Sequence, residues 1–178
     1  LLARALQHRG ERESGREFLA QALVCDPHDQ MNRVNAAWHR LRDEPDQAAS
    51  WRAFGARWGG SPYGGAMSGV VMQCWRGPAD PARRLIVRQE VGLGDQVLYS
   101  HFLPGLDALG LTGVMVAAPR LHRLFARSFP TWTMAGDISE LSVRDFDAQI
   151  FAGDLGQYIR GLGTPSYLVP DRHEVMAN

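Results

Sequence analysis

The residues best able to do chemistry lie in one short stretch, Glu90-Val91-Gly92-Leu93-Gly94-Asp95, where two glycines precede a carboxylate. A carboxylate exposed at the carboxyl edge of a sheet can take a proton from a substrate hydroxyl as a general base. It can equally cap the helix that follows, accepting N–H bonds from Val97 or Leu98, a contribution of about 1 kcal/mol. The residues alone leave both readings open. A helix starting here would turn the N–H groups of Gly94 to Val97 toward solvent, where partial positive charge favours an anion or a ligand oxygen. Glycine at 92 and 94 would let a ligand approach the backbone closely and would permit a positive φ.

Two familiar glycine-loop chemistries do not fit. The dinucleotide fingerprint needs a third glycine where Val97 stands, and an acid at the end of the next strand, which here closes in Ala117-Ala118-Pro119. A phosphate-binding loop needs Lys followed by Ser or Thr after its last glycine, and Asp95-Gln96 occupies those positions. No group of His, Cys and acids has metal-ligand spacing, so no metal site is expected. His101, six residues after Asp95 and rotated off its face, reads as packing or surface. Arg127 reads as the partner of a local acid, and Trp38, Trp51 and Trp58 as core or groove packing.

Composition narrows the class. The 178 residues, 45% hydrophobic, can form one sizeable core plus a small helical module. Nineteen basic and nineteen acidic side chains cancel, leaving no long-range field for nucleic acid or an acidic membrane. Two distant cysteines, Cys25 and Cys74, form neither a disulfide framework nor a metal pair and suit a reducing compartment. No apolar run reaches the ~20 residues of a membrane span and no signal-peptide pattern is present. A cytoplasmic protein is expected. Leu1 enters directly into a helical pattern and no element is completed after Pro170, so a fragment of a longer chain is expected.

The elements that would position the glycine turn follow from periodicity. Residues 1–58 carry apolar positions at helical spacing and predict four helices. The first is ended by Gly10. The second, Glu13 to Cys25, should bury Phe18, Leu19, Ala22 and Leu23. The third should be capped by Asp29, with Val34, Ala37, Trp38 and Leu41 on one face, and the fourth by Asp43, with Pro45 in its first turn. Five glycines and a proline mark residues 59–69 as a linker. Beyond it, strands are expected at Leu85-Val87, Gly113-Ala118, Trp132-Met134 and Ala148-Phe151. Helices are expected after Asp95, after Pro119 and from Leu155, the last opened by the Gly153-Asp154 turn. Strands alternating with helices predict a parallel sheet with crossover helices, half of a doubly wound domain.

A faint 34-residue register aligns Gly15 with Ala49 and Ala22 with Ala56. Here ALQHRGERESGREFLAQALVCDPHD resembles tetratricopeptide repeats, with Glu44 where the second copy should carry its turn glycine. The ordered stretches EVGLGDQVLYSHFLP, APRLHRLFARSFPTWTMAG, FDAQIFAGDLGQYIRG and PSYLVPD resemble a bacterial family in which such repeats precede a glycosyltransferase region. That region is similar to the amino-terminal half of heptosyltransferases, which have the GT-B architecture of two facing Rossmann-like domains. The resemblance implies tetratricopeptide-like helices over 1–58 that hold a protein acceptor or partner. It also implies a Rossmann-like acceptor domain over 70–178. Asp95 would be its catalytic base, Gly92, Leu93 and Gly94 would form the loop beneath the acceptor, Gln96 the adjacent helix start, and Gly153-Asp154 a second loop facing the cleft. The donor, a nucleotide sugar, would be held by a carboxyl-terminal Rossmann-like domain absent from these residues, so no cofactor is expected here and no turnover by this part alone. A non-catalytic interaction module with a degenerate α/β scaffold is the alternative.

Overall fold

A computed structural model describes residues 6, 9–44, 47–59, 72–159 and 167–170. The chain divides into two compact units, residues 1–69 and 70–178.

The first unit is helical: α1 (Arg12–Cys25), α2 (Gln30–Asp43), α3 (Ala48–Phe54) and a 3-10 turn (Gly55–Gly59). The stop at Gly10 is formed as the sequence implies. Gly10 takes φ +83°, and the Glu11 N–H reaches back to the Leu6 carbonyl at 2.9 Å, the long-range bond that closes a helix. Asp29 caps α2 by accepting the Asn32 N–H at 2.7 Å. Asp43 does not cap the next helix. It is the last residue of α2, and its carboxylate takes the Arg16 guanidinium at 2.7 Å, while α3 starts only at Ala48 behind Gln47. Pro45 lies outside the described residues. Phe18 also departs from expectation: α1 buries Leu19 and Gly15 and leaves Phe18 46% exposed. On α2, Val34, Ala37 and Leu41 are buried while Trp38 stays 42% exposed, its ring edge-on to Phe54 at 4.8 Å. Trp51 is buried, and the Arg57 guanidinium lies enclosed over the Phe54 and Trp58 rings. Of the residues aligned by the 34-residue register, Gly15 is buried, Ala22 and Ala56 are half-buried and Ala49 is exposed.

The second unit is built on four parallel strands, β1 (Arg84–Arg88), β2 (Thr112–Val116), β3 (Trp132–Ala135) and β4 (Ala148–Phe151), in the order β3-β2-β1-β4. The extended residues Gln73–Trp75 lie along the outer edge of β4, bonded to both backbone groups of Gln149. Between strands run α4 (Leu93–Tyr99), a 3-10 turn (Ser100–Phe102), α5 (Leu103–Ala108) and α6 (His122–Ser128). Side chains alternate between the faces of a sheet. On one face Ile86, Val114 and Ala135 pack against Met72, Ile138, Leu141, Val143 and Phe146, so the β3–β4 connection covers it. That connection, expected as loop, is two short 3-10 turns, Ile138–Glu140 and Val143–Asp145, the first fixed by a reciprocal Asp137–Glu140 capping box. The other face, with Leu85, Val87 and Met115, is left to the helices, whose Tyr99, Leu103, Leu106 and Phe125 are fully enclosed. Strands buried on both sides need continuous apolar runs, and Leu85-Ile86-Val87 is one. Among the described residues no helix is long and apolar enough to cross a membrane.

Candidate functional site

In open parallel sheets, ligands collect outside the carboxyl ends of the strands, where the strand order reverses. Here the chain steps outward from β1 to β2 and β3, then returns to place β4 on the other side of β1. The reversal therefore lies between β1 and β4. The loops leaving those two strands are residues 89–92 and the 3-10 turn Ala152–Gln157.

Two buried polar side chains join these loops. Glu90, 5% exposed, accepts the Gly153 N–H on Oε1 at 3.2 Å, linking the exits of β1 and β4. Gln96, 6% exposed, donates from Nε2 to the Glu90 carbonyl at 2.7 Å and accepts the Ala118 N–H on Oε1 at 3.0 Å, linking β1 to the exit of β2. Asp95 and the Gly153-Asp154 turn, far apart in sequence, thus belong to adjoining loops at one edge of the sheet.

The helix start differs from the expected one. Gly92 is the N-cap, Leu93 opens α4, and the Gln96 N–H is already bonded to the Gly92 carbonyl at 2.9 Å. The outward N–H groups are therefore those of Leu93 to Asp95 rather than Gly94 to Val97. Asp95, in the third helical position, is too far inside the helix to cap Val97 or Leu98. Its carboxylate is turned back instead. A Cβ at Gly92 would meet Asp95 Oδ2 at 2.7 Å, so the glycine makes room for the acid, and its own φ of −82° is an ordinary one. At Gly94 a Cβ would meet nothing within 4 Å, which leaves the backbone open to a ligand. Leu93 is half-buried in the same first turn. Gln96 faces inward with both ends of its amide engaged, so it holds the loops together rather than facing an acceptor. Asp154 lies inside the 3-10 turn that begins directly after Phe151, so it does not cap a helix starting at Leu155; of the helix expected over 155–162, residues 155–157 close that 3-10 turn and 160–162 lie outside the described residues.

The remaining candidates are structural. Arg127 donates from Nε to the Val169 carbonyl at 3.0 Å, and Ser128 Oγ accepts the Val169 N–H at 2.9 Å. The Phe129 ring stacks on Tyr167 at 6.5 Å, and the Tyr167 hydroxyl donates to the Val97 carbonyl at 2.7 Å. The RSFP and PSYLVPD stretches therefore meet, and residues 167–170 strap α6 to α4, the helix that carries Asp95. His101 is buried with its Nδ1 on the Leu98 carbonyl; burial pushes its pKa below the usual histidine range against the opposing pull of that bond. On the opposite sheet face the Arg88 guanidinium lies 4.7 Å over the Phe151 ring, and burial draws its pKa down while Asp137 pulls it up. Among the described residues no three His, Cys or acidic side chains are grouped to hold a metal.

Comparison with known proteins yields one partial relation. A 59-residue stretch is 41% identical to Protein FlbA of Caulobacter vibrioides. The match covers 32% of this chain and spans about a tenth of that protein's length (10%). No protein-family model and no solved structure matches.

Two residues at this edge escape a reading by motif. Glu90 lies just outside GLGD, and its signal is an acid two residues beyond a buried strand, where a carboxylate must find N–H partners to be enclosed. Gln89 is the polar residue directly after that strand, and no motif covers it.

Proposed function

We propose that residues 70–178 form a Rossmann-like domain, the acceptor half of a GT-B glycosyltransferase, with Asp95 as the general base. In this reaction the Asp95 carboxylate takes the proton of an acceptor hydroxyl as that oxygen bonds the anomeric carbon of a nucleotide sugar. The bond from that carbon to the nucleoside diphosphate breaks, and the diphosphate leaves. The donor is held by a second Rossmann-like domain outside these residues. The observation that carries this reading is the meeting of the Asp95 turn and the Gly153-Asp154 loop at the reversal of strand order, joined through Glu90. The resemblance of the four ordered stretches to a heptosyltransferase-like region supports the same assignment. We place the protein in the cytoplasm, where nucleotide sugars are available to it.

The helices of residues 1–58 are read as tetratricopeptide-like and as the holder of a protein acceptor or partner. Phe18, Val24, Met31 and Trp38 are large apolar side chains left 42–81% exposed on α1 and α2, more than such short helices need to leave in water. That exposure also favours a second reading, a non-catalytic interaction module.

Asp95→Asn in the full-length protein separates the two. Transfer from a panel of nucleotide sugars should fall by roughly 10²–10⁴, the usual contribution of a general base, with the melting temperature unchanged. Wild-type rates in Asp95→Asn would overturn the assignment.

A further inference from the structure

Gln89 follows β1 directly, and its N–H continues the ladder to the Val116 carbonyl at 3.0 Å. Alternation then points its side chain to the helix-covered face, in line with Leu85 and Val87. Extending the strand register by one residue gives it Ala117 and Ala152 as lateral neighbours, 3% and 0% exposed. Both are small, so the amide stands between side chains that fill little space. Its Nε2 and Oε1 are both enclosed, and neither has a hydrogen-bond partner among the described residues. Gln96, seven residues later, has both ends of its amide bonded. A buried amide with neither end bonded weakens the free protein, and native structures rarely keep such a group without a role. It also has no bond to break when a ligand draws it toward the edge.

We propose that Gln89 reads the acceptor, and that the acceptor is an uncharged carbohydrate bound through two neighbouring hydroxyls. This rests on the acceptor-half reading above. A primary amide offers one carbonyl acceptor and two N–H donors side by side, matching adjacent ring hydroxyls that each donate and accept. A single serine or threonine hydroxyl would engage one end and leave the other unpaired. Glu90, Asp95 and Asp154 on the same two loops favour a neutral ligand over a phosphorylated one.

Three measurements on the chain test this. Gln89→Met keeps the side-chain length and removes both unbonded atoms, so it should raise the melting temperature of the free protein by a few degrees. In ¹⁵N-labelled protein, methyl glucoside or methyl galactoside should shift the side-chain amide signals of Gln89 and leave those of Gln96 in place. The same glycosides should bind Gln89→Met at least roughly tenfold more weakly. A lower melting temperature for Gln89→Met would mean the amide is already bonded in the free protein, and would overturn the proposal. Gln89 signals that ignore both glycosides, or that answer only to a serine- or threonine-containing peptide, would overturn it as well. If Asp95→Asn abolishes transfer while glycosides leave Gln89 unmoved, only the present inference falls. If Asp95→Asn transfers normally while Gln89 responds, the base assignment falls and the carbohydrate site stands.

Discussion

Replacing Gln96 by methionine should have the opposite effect on stability from the same replacement at Gln89. Gln96→Met preserves shape and length but leaves the Glu90 carbonyl and the Ala118 N–H without their partners. A buried group that loses its partner costs about 1–3 kcal/mol. The Glu90 carbonyl sits in an enclosed bond of 2.7 Å and the Ala118 N–H in a partly enclosed one of 3.0 Å, so about 2 and about 1 kcal/mol are appropriate, roughly 3 in total. For a unit of this size that corresponds to about 10–15 °C in melting temperature. Urea denaturation gives the free energy. Amide exchange at Ala118 and Gly153 locates it, because Gln96 secures the loop that carries Glu90, and Glu90 secures Gly153. Gln96→Glu is the sharper variant. It can still accept the Ala118 N–H, but an ionised carboxylate faces the Glu90 carbonyl with no proton to give. It should be at least as unstable as the methionine variant at neutral pH and recover as the pH falls and the new carboxyl takes up a proton. A loss below about 1 kcal/mol for Gln96→Met, or equal losses at Gln89 and Gln96, would refute the contrast between an engaged and an unengaged amide.

Gly92→Ala should separate stability from function. The added methyl meets only the far end of the Asp95 side chain, so folding should lose no more than about 1 kcal/mol, while displacing the carboxylate by about 1 Å can lower transfer up to ~10²-fold; equal activity in the two proteins would show that the position of Asp95 is irrelevant. Asp147 accepts the N–H groups of Arg83 and Arg84, both at 2.8 Å, and these bonds hold its carboxyl below the usual value of 3.8. A depressed carboxyl stabilises the fold above its unfolded value, and that contribution is lost as pH falls through the lower folded one. The difference in urea stability between wild type and Asp147→Asn should therefore shrink on moving from pH 7 to below 3.8, and a constant difference would count against the bonds.

The strands were legible because burial on both faces imposes short apolar runs, and Leu85-Ile86-Val87 and Ala148-Gln149-Ile150-Phe151 show them. The stop at Gly10 and the cap at Asp29 were legible because each is a local rule satisfied by its own residue type. Asp43 was not. It has the right chemistry for a cap, but an arginine 27 residues away competes for its carboxylate, and local sequence does not contain that pairing. Phe18 and Trp38 were misplaced for a related reason: helical spacing names a stripe, while which part of the stripe is covered depends on where the next helix lies. At the edge of the sheet the order of strands decided what a motif could not. GLGD and Gly153-Asp154 are unremarkable turns until β4 pairs with β1 rather than β3, and that pairing brings Glu90 within reach of Gly153.

Asp95 and Gln96 are neighbours in chain but not in direction, since successive helical residues are turned by about 100°. The inward residue has an amide bonded at both ends, and its neighbour has a carboxylate folded over a glycine. Three positions into the helix from Gly92, Asp95 is followed by Gln96, which keeps the start of the helix attached to the exits of β1 and β2. The proposed base therefore stands on a turn whose backbone is held in place by the amide of its neighbour. Tyr167 extends the same logic from the far side, holding the Val97 carbonyl two residues beyond Asp95. The turn that carries the acid is therefore held from both sides.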